Sequence, residues 1–406
     1  MAKTEAREKI PASLWLLLLV VGSAYMTSRY DFQLSTLTIP QFQASLGMSD
    51  QQAAFMTGLV KLGAIPAIFM VFWADKIGRK PVFLWSIIGF SIAAVIASRA
   101  QSANALLLGL FLTRLFTMIG ELLAIVLIAE AAPPKSRAYM LGILAICGTL
   151  GDATAIISYG ALGDMKDSWR LLYLLGAIPA VLVIFWRKAL KESDAFVAAT
   201  AEHKAHHQSM NPFHGLKANW KTMAGICLVL FLFWIPVSPA LSLLSKHLQS
   251  DVGWTQAGVS TLQMGAGMMG FVGNSVGGYL SDRIGRKIVG GGGILLTGLG
   301  LAGVYFFAST PFIAGFYAVA LLGWFATLVA TRAITTESFA TEARATATGT
   351  AEIAASSAAF AGNVLVAQLI PLAGNTGNAI LWLTPIVVLC FCAFLFLKET
   401  KGRAMT

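Results

Sequence analysis

The sequence predicts an all-α integral membrane protein of twelve transmembrane helices in two pseudo-symmetric six-helix bundles. Composition is the first reason. Apolar residues make up 57% of the chain and charged residues only 12%, with a mean hydropathy of +0.73, whereas soluble domains carry about 25% charge. An internal repeat is the second. Asp75-Lys-Ile-Gly-Arg-Lys80 returns 207 positions later as Asp282-Arg-Ile-Gly-Arg-Lys287, and Glu130 with Arg137 returns at the same offset as Glu337 with Arg344. Each copy closes an apolar run of bilayer-spanning length, so the repeated unit is a set of helices.

Taken in order, apolar runs of about twenty residues fall at 12 to 38, 52 to 74, 81 to 99, 104 to 128, 138 to 163 and 169 to 187, and again at 219 to 245, 255 to 280, 288 to 308, 311 to 333, 346 to 371 and 379 to 397. They predict an N-terminal bundle over 1–188, a cytoplasmic linker over 189–218 and a C-terminal bundle over 219–406. The first run continues to Leu37, too long for the apolar region of a cleavable signal. Lysine and arginine set the orientation. Lys76, Arg79, Lys80, Lys135, Arg137, Arg187, Lys188, Lys204, Arg283, Arg286, Lys287, Arg344 and Lys398 lie on one side, and only Arg99, Lys166, Arg170 and Lys246 on the other. Both termini are therefore expected in the cytoplasm, with the protein in a bacterial inner membrane. The net charge of +10 follows from this topology and does not point to nucleic acid. Cys147, Cys227, Cys390 and Cys392 all lie inside apolar runs and read as small core residues. His203, His206, His207 and His214 in the linker have no Cys or acidic partner at ligand spacing, so no metal is expected. The Gly290–Gly293 run lacks the Lys-Ser/Thr of a phosphate cradle and, like Gly273 and Gly277, reads as close helix packing.

The repeated motifs resemble those of the major facilitator superfamily of secondary transporters, over the whole chain. Asp75, Gly78, Arg79 and Lys80, with Asp282, Arg283, Gly285, Arg286 and Lys287, are similar to its signature loop between the second and third helices and the counterpart in the second half. Glu130 to Arg137, Glu337 to Arg344, Lys191-Glu192-Ser193 and Glu399-Thr400-Lys401-Gly402-Arg403 resemble the sugar-porter and metabolite:proton-symporter branch. Two departures stand out: Lys398 replaces the usual proline of the last motif, and Leu110 stands where an arginine is usual, twenty residues before the first-half Glu. The resemblance implies the major facilitator fold, alternating access and no enzymatic activity. On physical grounds Asp75, Arg79, Glu130 and Arg137, with Asp282, Arg286, Glu337 and Arg344, form charge-assisted pairs at neighbouring helix ends and are expected to gate the inner side.

The repeat also separates scaffold from chemistry. Asp31 maps to Ser238, Lys61 to Met268, Arg114 to Leu321, Glu121 to Leu328 and Asp152 to Ala359, so deep charge belongs to the first half. Ionisable groups near the bilayer centre cost about 2.5–3.5 kcal/mol each on insertion scales. Arg29, Asp31, Lys61, Arg114, Glu121 and Asp152 together therefore imply a polar cavity with mutual pairing. Arg114 and Glu121 are seven apart and share a helix face, about 10.5 Å along the axis. Arg29 and Asp31 point to nearly opposite sides, and the face with Thr27, Ser28 and Ser35 favours Asp31 as the one turned toward that wall. Tyr30-Asp31 resembles a first-helix pair of the sugar-porter branch, where the acid is associated with proton coupling. Arg114 to Gly120-Glu121 resembles the fourth helix of the anion:cation symporters related to sialin, which implies carboxylate binding and proton coupling.

The six charges sum to zero as written, so protonating Asp31 or Glu121 leaves a cavity that welcomes one anion. This predicts a proton-coupled symporter importing a small organic anion or other polar metabolite, with the proton as coupling ion and no further cofactor. The bilayer and a small-molecule carboxylate, with no nucleic acid, are the expected surroundings, and the monomer is the working unit. Substrate contacts are expected from Arg29, Tyr30, Lys61, Arg114 and Asp152 in the first half and from Trp234, Gln263, Asn274 and Asn363 in the second. The alternative is a proton-driven antiporter exporting drugs or metabolites. Exporters carry a Gly-Pro motif in helix five, and the segment Gly142 to Gly151 has the glycines without the proline.

Overall fold

The computed structural model describes residues 12–133, 136–162, 165, 167–178, 219–307 and 310–401. Among them the secondary structure is helical. The first half holds α1 (Ala12–Leu37), α2 (Ile39–Leu46), α3 (Asp50–Lys61), α4 (Ala64–Ile77), α5 (Arg79–Ser98), α6 (Ala103–Ala131), α7 (Arg137–Leu162) and α8 (Ser168–Gly176). After Trp220 come α9 (Trp220–Ser242), the one-turn α10 (Leu244–Lys246), a π-turn (His247–Asp251), α11 (Gln256–Ile284), α12 (Arg286–Phe306), α13 (Thr310–Ser338), α14 (Thr341–Ala373), α15 (Thr376–Leu383) and α16 (Ile386–Leu395).

Ten spans among the described residues are long and apolar enough to cross a membrane, α3 running into α4 and α15 into α16. α11 is 29 residues long, but its Gly, Ser, Gln and Asn make it less apolar. Of the sixth expected span only the part to residue 178 is described, and the linker expected over 189–218 lies outside the described residues. Helix ends follow local chemistry. Ser49 accepts the backbone N–H of Gln52 while the Gln52 side chain accepts the N–H of Ser49, a capping box that starts α3. Gly78 and Gly285, the glycines of the repeated motif, both sit at φ 111°. Only glycine adopts that angle cheaply, which is why each copy turns sharply from one helix into the next.

The chain forms two compact units: one of residues 1–35, 66–158 and 169–209, the other of 36–65, 159–168 and 210–406. In the first, α1 lies on α7 at two glycines. A Cβ on Gly151 would strike the Met26 carbonyl, and one on Gly148 would strike Tyr25 and come 3.3 Å from the Arg29 side chain. In the second, α12 and α13 meet backbone to backbone, with a Cβ on Gly293 falling 2.8 Å from the Gly323 carbonyl and one on Gly323 falling 2.6 Å from the Gly293 carbonyl. The glycine run is thus a packing surface, as its sequence suggested. Gly273 and Gly277 serve likewise, against Phe325 and Ala326.

Candidate substrate site

The stripe on α7 that admits α1 also places the first ion pair of the site. Asp152 directly follows Gly151, and its Oδ2 receives Arg29 Nη2 at 2.8 Å, with the two side chains 28% and 27% exposed. The Arg29 guanidinium lies 5.2 Å from the centre of the Phe32 ring, and the Arg114 guanidinium, from α6, lies 4.8 Å from the same ring. Glu121 is near enough for its charge to act on both Arg29 and Asp152. Two guanidinium groups, two carboxylates and one aromatic ring thus converge in the first unit. Glu121 Oε1 and Asp152 Oδ1 are buried there with no hydrogen-bond partner among the described residues.

Helix one turns Arg29, rather than Asp31, toward Asp152 and Glu121. The hydroxyl-bearing face of α1 favours Asp31, but successive residues are about 100° apart on a helix, and the α7 glycines draw in the side of α1 that carries Tyr25, Met26 and Arg29. Asp31 is 0% exposed. Its carboxyl sits against Gly176 of α8, where a Cβ would come 2.8 Å from the carboxyl carbon, and neither oxygen has a hydrogen-bond partner among the described residues. A charge there is uncompensated and therefore expensive. Tyr30, expected at the substrate, is 7% exposed and donates its hydroxyl to the Leu172 carbonyl at 3.1 Å, which fixes α1 to α8. Gly176→Val should overpack this contact and lower stability by about 1–3 kcal/mol, read as a lower Tm in detergent.

The other expected contacts belong to the second unit. Asn363 is fully buried and donates to Ser238 Oγ at 3.1 Å and to the Ala359 carbonyl at 2.8 Å, so it ties α14 to α9. Trp234 meets Trp324 edge to face at 6.2 Å between ring centres. Trp324, which the sequence does not single out, buries its indole N–H with no partner among the described residues. It maps to Thr117 by the repeat, so only its place on α13 opposite Trp234 singles it out. Gln263 is buried and Asn274 is exposed on α11. Lys61 ends α3.

Of the expected gating residues, Arg79 pairs with Glu130 in the first unit. The Asp75 side chain lies outside the described residues, and Arg137 is exposed at the start of α7. The second unit carries a fuller network. Arg286 bridges Asp282 at 2.5 Å and Glu337 at 2.9 Å, and Thr400 donates to Glu337 at 2.5 Å. Arg344 instead donates to the Thr336 carbonyl at 2.9 Å. Glu399, from the terminal motif, accepts the backbone N–H groups of Arg286 at 3.0 Å and Lys287 at 2.9 Å. Partial burial pushes the Glu399 carboxyl up, and N–H groups of Lys287, Lys401, Arg286 and Thr400 outweigh it, holding the group below the ordinary carboxylate range. A depressed carboxylate stabilises the fold above its unfolded pKa, and that contribution is lost as pH falls through the lowered value. Tm should therefore gain from Glu399 at neutral pH, and Glu399→Gln should flatten the acid limb of a Tm-versus-pH curve.

The sequence matches the family model of the Major Facilitator Superfamily over residues 21–244 and 222–405. The chain belongs to the major facilitator superfamily. Its relatives in the superfamily include myo-inositol transporter 3C of Cryptococcus neoformans, 26% identical over 48% of this chain and 33% of that protein, so the match spans about a third of the relative's length. Another is the sialic acid transporter NanX of Escherichia coli, 27% identical over 65% of this chain and 64% of its own. A bacterial homolog of the human lysosomal transporter Spinster superposes with a TM-score of 0.80 at 17% identity, over 96% of this chain and 97% of that one. The chain thus has the superfamily fold and is an integral membrane protein.

Proposed function

We propose that the protein is a proton-coupled symporter importing a small organic anion by alternating access. The observation that carries this reading is the convergence of Arg29 and Arg114 on Phe32 beside Asp152 and Glu121. Arg114, whose planar fork matches a carboxylate, is the group assigned to the substrate. Asp31 and Glu121 are the two candidates for the proton, each with a buried oxygen that none of the described residues hydrogen-bonds. The sialic acid carried by NanX bears a carboxylate, consistent with this class.

Loading follows from charge balance. A proton on Glu121 leaves the cluster of Arg29, Arg114, Asp152 and Glu121 one positive charge in excess, the anion cancels it, and the neutral loaded site can be turned across the bilayer. A proton on Asp31 instead neutralises the buried carboxylate that faces α8. Asp31→Asn or Glu121→Gln imitates the protonated state. The variant at the true carrier should still exchange labelled carboxylate across proteoliposomes but lose accumulation under an imposed pH gradient. If both variants accumulate substrate like the parent, the symport reading fails. The inner networks are read as gates: Arg79→Ala or Arg286→Ala should slow uptake while leaving substrate affinity within a few-fold. Both termini and the 189–218 linker are assigned to the cytoplasm of a bacterial cell, between two six-helix bundles of a functional monomer. Ala205→Cys and Met405→Cys should then resist a membrane-impermeant maleimide on intact cells, and labelling of either would invert the topology.

A further inference from the structure

Lys246 was only a topology marker in the sequence, yet it is 1% exposed. Its Nζ donates to Asp50 Oδ2 at 2.5 Å and to Thr376 Oγ1 at 2.7 Å, with Asp251 Oδ1 at 3.6 Å. A buried ammonium is tolerated only with such pairing. Asp50 opens α3 and also receives Gln43 Nε2 at 2.5 Å. Asp251 closes the π-turn, where its Oδ2 faces His247 Nδ1 at 2.9 Å and accepts the Gly377 N–H at 3.2 Å. The His247 ring lies 4.7 Å from that of Tyr305. A neutral set adjoins the charged one. Gln249 donates to the Tyr159 hydroxyl at 2.8 Å and to Ser245 Oγ at 2.8 Å, Gln41 donates to the same Tyr159 hydroxyl at 2.6 Å, and Ser245 donates to the Leu37 carbonyl at 2.8 Å.

The short stretch from Ser245 to Asp251 is thus the hub from which side chains reach the α1–α3 connection, the end of α7 and the start of α15. All these residues belong to the second unit, which takes 36–65 and 159–168 from the first half of the sequence. The charges are written once: the repeat places Ile39 opposite Lys246 and Ala257 opposite Asp50. A group that serves only bundle folding has no reason to join segments of the two sequence halves at one edge.

We propose that the Ser245–Asp251 stretch is the outer latch of the transport cycle, clasped by the Lys246 ion pair with Asp50, and that segment 36–65 must part from it each time the site opens outward. The side on which it lies rests on the topology above, but its opening does not. Burial pushes the Asp251 carboxyl up, and the His247 contact, the Lys246 charge and the Gly377 N–H outweigh it, keeping the group below the usual carboxylate range. With Lys246, Asp50, His247 and Tyr305 as its charged and titratable neighbours, Asp251 keeps its charge through mild acid.

Two measurements test the latch, in a background with the four native cysteines replaced by serine. In the first, Gln41→Cys and Gln249→Cys are joined by a short thiol crosslinker that a reductant cleaves. Uptake should fall at least tenfold on joining and return on reduction; joined protein that transports at the unjoined rate overturns the proposal. In the second, a Thr57→Cys reporter, buried on α3, is labelled by an impermeant maleimide with and without Asp50→Asn. The unclasped variant should label several-fold faster, and should Asp50→Asn misfold, Lys246→Gln replaces it. Equal labelling shows that the ion pair is not the clasp and also overturns the proposal. Labelling from the cytoplasmic side alone corrects the topology and leaves the crosslinking result to decide the latch.

Discussion

Arg114→Lys should raise the half-saturating concentration of the carboxylate substrate at least tenfold, equivalent to about 1.4 kcal/mol, with much less change in the coupling of uptake to the pH gradient. Lysine keeps the charge but loses two things. One is the planar fork that takes both oxygens of a carboxylate. The other is the stack on Phe32, where the guanidinium now lies 4.8 Å from the ring centre, a contact worth about 0.5–1 kcal/mol. Initial uptake rates against concentration, for variant and parent in the same proteoliposomes, give the comparison. An unchanged half-saturating concentration would remove Arg114 from the substrate and move the anion to Arg29 or Lys61.

The second large effect is expected at Arg29. Arg29→Ala leaves Asp152 as an uncompensated carboxylate beside Glu121, and breaking a buried pair this way costs about 3–5 kcal/mol. Both side chains retain a little more than a quarter of their exposure, so about 1–3 kcal/mol is the expectation here. The double variant Arg29→Ala with Asp152→Ala should recover much of the lost Tm, because it removes the orphaned charge together with its partner. If the double variant is as unstable as the single one, the pair is not the source of the loss, and the packing of α1 on Gly148 and Gly151 is.

Much of this was legible in the sequence because membrane helices leave strong marks. Spans could be counted from hydropathy, and Asp282, Arg286 and Glu337 could be grouped because the repeat wrote their motif twice. Helical angle alone could not decide which of Arg29 and Asp31 faces the charged cluster. That choice depends on where α7 carries glycine, and nothing in the sequence says that Gly148 and Gly151 face α1. The tie of Tyr30 to α8 was hidden for a similar reason: its partner is a main-chain carbonyl, Leu172, 142 positions away, and a carbonyl has no sequence signature. The Lys246 cluster stayed hidden because its members come from three separate connections and recur nowhere at the repeat offset. Unrepeated contacts between distant segments are invisible to periodicity.

The glycine seam between α12 and α13 has a mechanical consequence. Two helices whose main chains touch at Gly293 on Gly323 and Gly300 on Ala320 have no layer of side chains between them at those points. Sliding one past the other would bring carbonyls into collision almost at once, so the pair moves as a plank. Bending has to be taken up where the hydrogen-bond ladder is already interrupted: at Leu62 and Gly63 between α3 and α4, at Pro236 and Pro239 within α9, and at Thr384 and Pro385 between α15 and α16. The stiff and compliant parts of this carrier are therefore set by which residues lack a side chain and which lack an amide hydrogen.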